Sequence, residues 1–339
     1  MFKPILTIAA ACITLTALAG PASAVTPGDW RTVIASAKRE GAVTMYANTG
    51  TEDELNAAVA SFERTYGIKV TIGYGNGAAN TQKVLIEAQT GHVQADIYYA
   101  GLGPSSSLAK AGYAVPLDVP NAVNVLPNFN VLKGAIPLFI NVYGILVNPT
   151  KLGNVPIPKS WADLLNPGLA GKMVMQDPRV DGGGGTFFVS TYDRLGQSFV
   201  QSLAALHPTI NGAGGGSAAE EALARGDYAI MIAGRVRALS EYPQAPLKWI
   251  APSEGAVAVP IAMSLIKGAP HPNAARLWAN FLLEPAFQSS LSSVELPVIK
   301  NVAIKNPLLR GKIKILEVLP PGQDRTKYYA DARQLFGAQ

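Results

Sequence analysis

Residues 179–186, Arg-Val-Asp-Gly-Gly-Gly-Gly-Thr, bring together several groups that could hold a ligand. Successive glycines let backbone N–H groups converge on one point, and the helical pattern beginning at Thr186 adds the partial positive charge of a helix start. Arg179 offers a planar fork matched to a carboxylate, phosphonate or phosphate. Gly184, Gly185 and Thr186 are the expected contacts here, with Arg179 as charged anchor. Arg235 and Arg237 follow the apolar stretch Tyr228–Ala233. Strand alternation would put both on one side, and Arg235 is taken as the second anchor. Two arginines repel a cation and favour an anion. Ser217, after the run Gly212–Gly216, is either a helix N-cap or a further contact.

Catalytic and metal chemistry find little support. His92, His207 and His271 lack metal-ligand spacing, and the last two each precede a proline. Ser107-Leu108-Ala109-Lys110 is an S-x-x-K, but S-D-N and K-T-G are absent. Gly73–Ala78 matches G-x-G-x-x-A only superficially, and neither G-x-S-x-G nor H-E-x-x-H occurs. The expectation is a protein without catalytic residues, metal or cofactor. A secreted serine acyl-transfer enzyme working through Ser107 is the alternative from another class.

These residues need elements to position them. Apolar strands and amphipathic helices alternate along the chain, which predicts parallel βαβ units and an α/β fold. Thr51-x-x-Glu54 has the spacing of a capping box opening a helix. Asn80 or Thr81 is expected to start the third helix, and one helix is expected from Thr186 to Leu206. Ligands of open parallel sheets sit beyond the carboxyl ends of the strands. That rule selects the loops Asn48–Thr51, Gly73–Asn80 and Tyr99–Leu102, and within them Asn48, Thr49, Gly77, Asn80 and Tyr99. Two extended apolar runs, Ile136–Val147 and Ala256–Ile266, are too long for ordinary strands. Strands of that length suit a chain crossing between two lobes with a cleft between them.

The 339 residues are 48% apolar and only 15% charged, which excludes global disorder. The net charge of +5 comes from scattered basic residues, without the stripe that nucleic-acid binding needs, so no nucleic-acid partner is expected. Lys3, the apolar run Ile5–Ala19 and the small residues Ala22-Ser23-Ala24 read as an export signal cleaved after residue 24. Cleavage would remove the single cysteine, Cys12, and lower the net charge to +4. The product would be an exported protein without thiols.

Lys159-Ser160-Trp161-Ala162-Asp163-Leu164-Leu165 followed by Gly171–Pro178 resembles the "P-x-S-W-x-D-L-L … G-K-I-x-x-x-D-P" stretch of bacterial extracellular solute-binding proteins. Gly255–Ala269 with Pro272–Ala275 resembles the stretch near their second hinge, and Gly144–Asn148 the strand after the first. The likeness spans about residues 30–335 and is greatest to the ferric-iron and small-anion receptors of ABC importers. It implies a type II periplasmic binding fold with a hinge and an interdomain cleft. Lobe one would be residues 25–138 plus 260–296, and lobe two 139–259 plus 297–339. The resemblance further implies a monomer that captures a small anionic organic molecule and docks on a membrane permease. A ferric-iron receptor is the alternative within the family. The adjacent tyrosine pair of iron binders is expected where this chain reads Ala233-Gly234-Arg235-Val236-Arg237.

Overall fold

The computed structural model describes residues 27–48, 51–75, 77–127, 134–212, 215–311, 313–316 and 324–337. The proposed leader and Thr49 lie outside the described residues. Among the described residues no helix is long and apolar enough to cross a membrane.

Three strand–helix pairs open the fold. After α1 (Pro27–Glu40) come β1 (Ala42–Asn48) with α2 (Glu52–Tyr66), β2 (Lys69–Gly75) with α3 (Gly77–Thr90), and β3 (Ile97–Gly101) with α4 (Leu102–Lys110). β1 lies between β2 and β3 and pairs in parallel with both. α2 ends at Gly67, whose φ of +68° is the left-handed turn that glycine supplies without strain. α3 begins at Gly77, earlier than the Asn80 or Thr81 expected.

A short β4 (Ala114–Val115) precedes the long β5 (Ile136–Val147). The second group of elements is β6 (Met173–Gln176), α5 (Gly183–Leu195), α6 (Gln197–Ala204), β7 (Thr209–Asn211), α7 (Gly215–Arg225), β8 (Ile230–Arg235), α8 (Ala238–Glu241) and β9 (Lys248–Ile250). β6 pairs in parallel with β7 and β8. The helix expected from Thr186 to Leu206 is two helices, because Gly196 takes φ +91° between α5 and α6. The chain then returns through β10 (Val257–Ile266), α9 (Pro272–Leu282), α10 (Pro285–Leu291), β11 (Leu296–Pro297) and α11 (Thr326–Phe336).

One sheet runs through all of this, in the order β2-β1-β3-β10-β5-β8-β6-β7. β5 and β10 are antiparallel at its centre. The later part of β5 pairs with β8 and β9, and the later part of β10 pairs with β3 and β4. Each long strand therefore leaves one half of the sheet and finishes in the other. Both are buried on both faces, with Asn141 the one partly exposed position of the two, which is why neither alternates in hydropathy. The stretches that carry the family resemblance meet in space. The Trp161 indole N–H donates to the Gly255 carbonyl at 2.8 Å, and the Trp161 and Ala162 N–H groups donate to the Glu254 carboxylate at 3.0 and 3.1 Å.

Candidate functional site

The carboxyl ends of β1, β2 and β3 meet the starts of α2, α3 and α4. Asn48 ends β1, and its side-chain oxygen is buried without a hydrogen-bond partner. The same side chain packs against Gly77, the first residue of α3, where a Cβ would lie 3.3 Å from it. Asn80 is buried and donates to the Ala47 carbonyl at 3.0 Å, so it fixes the end of β1. The Gly77 carbonyl accepts from the hydroxyls of Thr81 and Tyr98 at 2.6 and 3.0 Å. Tyr99 is buried in the sheet with its hydroxyl 3.3 Å from that of Thr51. Burial pushes the Tyr98 and Tyr99 phenols above their ordinary value, so both hold their protons.

The capping box is not formed. Thr51 is the N-cap of α2, but its side chain makes no capping bond. Its hydroxyl faces Tyr99, and Glu54 reaches away to Arg237. Both side chains take tertiary partners over the local one their spacing suggested.

In the other half of the sheet the glycine run packs directly on backbone. A Cβ at Gly184 would meet the carbonyl oxygens of Gln176 and Asp177, and one at Gly185 that of Val180. The close seating of α5 on the preceding loop accounts for glycine at these two positions. Thr186 is buried and its N–H donates to the Gly182 carbonyl at 2.9 Å. Gln176, part of the Gly171–Pro178 stretch but not among the expected contacts, lies between the starts of α5 and α7. Its amide would be 2.8 Å from a Cβ at Gly183 and 2.6 Å from one at Gly216.

Arg179 faces elsewhere. Its Nε and Nη2 donate to the two Asp177 oxygens at 2.8 and 2.9 Å, and Nη1 donates to the Gly337 carbonyl at 3.0 Å. The fork expected to grip a ligand is engaged here by Asp177 and fastens the C-terminal segment.

Arg235 and Arg237 diverge, because β8 ends at Arg235 and the chain has turned helical at Arg237 (φ −63°, ψ −22°). Arg235 folds back onto the buried Glu220, with Ser217 and Glu241 each at 3.2 Å. Ser217 therefore accepts a bond from Arg235. Arg237 crosses to the first half of the sheet, where its Nη2 lies 3.0 Å from each Glu54 oxygen. Its Nε donates to Glu241 at 2.7 Å and its Nη1 to Glu295 at 3.5 Å. Burial works against the Arg237 charge, but Glu295, Glu54 and Glu241 outweigh it and the guanidinium is held more firmly protonated than usual. Burial pushes the Glu295 carboxyl up to about 8, against the pull of Arg237 and Arg235. With its amide nitrogen turned toward Glu295, Asn141 donates to both of its oxygens, at 2.9 and 3.1 Å.

A second link spans the cleft. Asp181, in the loop before α5, has its carboxylate 2.5 Å from where a Cβ of Gly103 in α4 would sit. It accepts from the Tyr329 hydroxyl at 2.5 Å and from Arg325 at 3.3 Å, both on or next to α11. The exposed Ser107 hydroxyl donates to the Gly103 carbonyl within α4. His271 is bound to the buried Asp96 through its N–H at 2.6 Å and its ring at 3.1 Å. Among the described residues, no group of three or more His, Cys, Asp or Glu side chains is arranged to hold a metal.

The structure thus gathers Asn48, Gly77, Asn80 and Tyr99 at one wall, and Gly184, Gly185, Thr186, Ser217 and Arg235 in the opposite half. The residues that join the two walls, Glu54, Asp181 and Arg237, were not among the selected contacts, though Arg237 was seen as the partner of Arg235.

Comparison with known proteins fits this layout. An uncharacterized protein of Haemophilus influenzae is 26% identical over 264 residues, which are 74% of this chain and 75% of the relative. The periplasmic binding protein AfuA from Actinobacillus pleuropneumoniae, solved with fructose-6-phosphate bound, superposes with a TM-score of 0.71 at 22% identity, covering 87% of this chain and 96% of that one. Iron-bound HitA from Pseudomonas aeruginosa superposes at 0.68 with 19% identity, covering 87% and 98%. The fold they share is the two-lobed one of periplasmic binding proteins. The family model described as bacterial extracellular solute-binding protein matches residues 105–315. With more than half of its length matched, the chain belongs to the bacterial extracellular solute-binding protein family.

Proposed function

We propose that the protein is the periplasmic solute-binding component of an ABC importer, exported by a cleaved leader and acting as a monomer without enzymatic activity. Its ligand is a small anionic organic molecule, a phosphonate or a phosphorylated or carboxylated solute, which it delivers to a membrane permease. Lobe one comprises residues 25–138 and 260–296, and lobe two residues 139–259 and 297–339. The crossing of β5 and β10 between the half-sheets supports this division and supplies the hinge.

The observation that carries the anionic reading is the grip of Arg237 on Glu54. A guanidinium from one wall holds a carboxylate from the other, between both oxygens at 3.0 Å, inside the cleft. A ligand carboxylate or phosphate is the same kind of acceptor. Asn48, with a buried oxygen lacking a donor, and the Tyr99–Thr51 hydroxyl pair stand ready for the polar remainder of such a molecule. Arg235 acts in this reading by fixing Glu220 and Ser217, with the ligand held by Arg237.

Thermal melting of the purified protein against phosphonates, sugar phosphates and small carboxylates tests the proposal. A true ligand at about 100 times its Kd adds roughly 2.7 kcal/mol of stability. A protein that no anion stabilises, and that turns coloured on ferric loading through iron–phenolate bonds, would be an iron receptor instead.

A further inference from the structure

Arg235 and Arg237 are met by four carboxylates, Glu54, Glu220, Glu241 and Glu295. They differ in where the chain holds them. Glu220 lies on α7 and Glu241 on α8, in the same half as the two arginines. Glu295 stands just before β11, which pairs with the central strand β5. Glu54 and Glu295 both fall in lobe one of the proposed division, but Glu54 lies out on α2, away from the central strands. When the halves separate about β5 and β10, Glu295 stays beside the hinge and Glu54 is the partner carried away.

The charge count agrees. Four carboxylates meet two guanidinium groups, more than the two can neutralise one for one. Glu54 is the member of the set out on α2, and its side chain is only 15% exposed. An anion arriving at Arg237 can replace it without changing the count. If Glu54 stays, the anion adds a further unbalanced charge in a poorly screened place. The local structure agrees, since Glu54 sits three residues after an N-cap threonine whose reciprocal bond is not made.

We infer that Glu54 is a built-in competitor for the ligand, a carboxylate on lobe one that occupies the Arg237 fork until an external anion displaces it. This rests on the anionic reading above and adds a regulation to it. Affinity is set by the difference between the ligand and Glu54 on the same fork, and weak single-anion solutes are rejected by a rival that is always present.

The test compares wild type with Glu54→Gln by calorimetric titration with inorganic phosphate, glycerol 3-phosphate and succinate. Loss of the competitor should tighten anion binding by about tenfold or more. Glu54→Asp keeps the charge but shortens its reach. It should move affinity in the same direction by less, and it decides the matter if the glutamine variant melts as unfolded by circular dichroism. Tighter binding by either variant supports the inference, including where wild type binds no probe. Wild type binding an anion that the variants bind equally or more weakly overturns the competitor role and leaves the anionic reading standing. No binding by wild type or variants overturns both.

Discussion

Arg237 holds Glu54 at 3.0 Å from each carboxylate oxygen although 183 positions separate the two in the chain. Their pairing joins the first turn of α2 to the turn after β8, and so ties the two half-sheets at a point away from the central strands. Replacing Arg237 by alanine takes the cation from Glu54 and Glu295 and leaves Glu241 with Arg235 alone, and the expected loss is about 3–5 kcal/mol of stability. Arg237→Lys keeps the charge but not the fork. It should melt closer to wild type in a denaturant titration while anion affinity falls about tenfold or more by calorimetry.

Arg179 gives the opposite expectation. Its guanidinium is consumed by Asp177 and the Gly337 carbonyl. Arg179→Ala should leave anion affinity unchanged while lowering stability by about 1–3 kcal/mol. A selective loss of affinity at unchanged melting temperature would return Arg179 to the binding site.

Gly184 and Gly185 should prove intolerant for steric reasons, because a Cβ at either meets backbone carbonyls. A methyl group at Gly185 meets the Val180 carbonyl and, at 3.1 Å, the Tyr329 ring. Gly185→Ala should cost about 1–3 kcal/mol of overpacking. Gly212→Ala is the control, because its Cβ meets the Asp177 carboxylate at an ordinary 3.5 Å, and its melting should stay within about 0.5 kcal/mol of wild type.

Glu295 makes stability depend on pH. Its carboxyl is raised from 4.5 to about 8 in the folded chain, chiefly by burial. Between those values the folded state holds a proton that the unfolded state has released. Its contribution is therefore complete below pH 4.5 and is lost as pH rises through about 8. Glu295→Gln, which cannot ionise, should flatten this decline relative to wild type when denaturation is followed from pH 5 to pH 9. Parallel curves would mean that Glu295 is ionised throughout.

Much of the fold was legible because burial leaves a compositional mark. Ile136–Val147 has one partly exposed residue in twelve, so its ends in the sequence are its ends in the sheet. The ends of β1, β2 and β3 and the turns after them followed from the same patterns. Side-chain direction was harder. Alternation predicted a common side for Arg235 and Arg237, but it holds only while the strand continues, and β8 stops at Arg235. Thr51 and Glu54 match a capping box in type and spacing, yet Tyr99 and Arg237, from distant parts of the chain, take their side chains. Arg179 has one partner two residues upstream, Asp177, but its third acceptor, the Gly337 carbonyl, lies 158 positions away and cannot be foreseen from its neighbours in sequence.

The placement of β10 between β3 and β5 also bears on biogenesis. The edge of β3 is covered only by a strand that is made after the whole second group of elements. During synthesis the first group of strands and helices therefore stands with a raw edge and cannot close its own sheet. For the same reason neither half should be obtainable as an independently folding fragment, and a cut between β3 and β10 would leave two pieces that must find each other to fold.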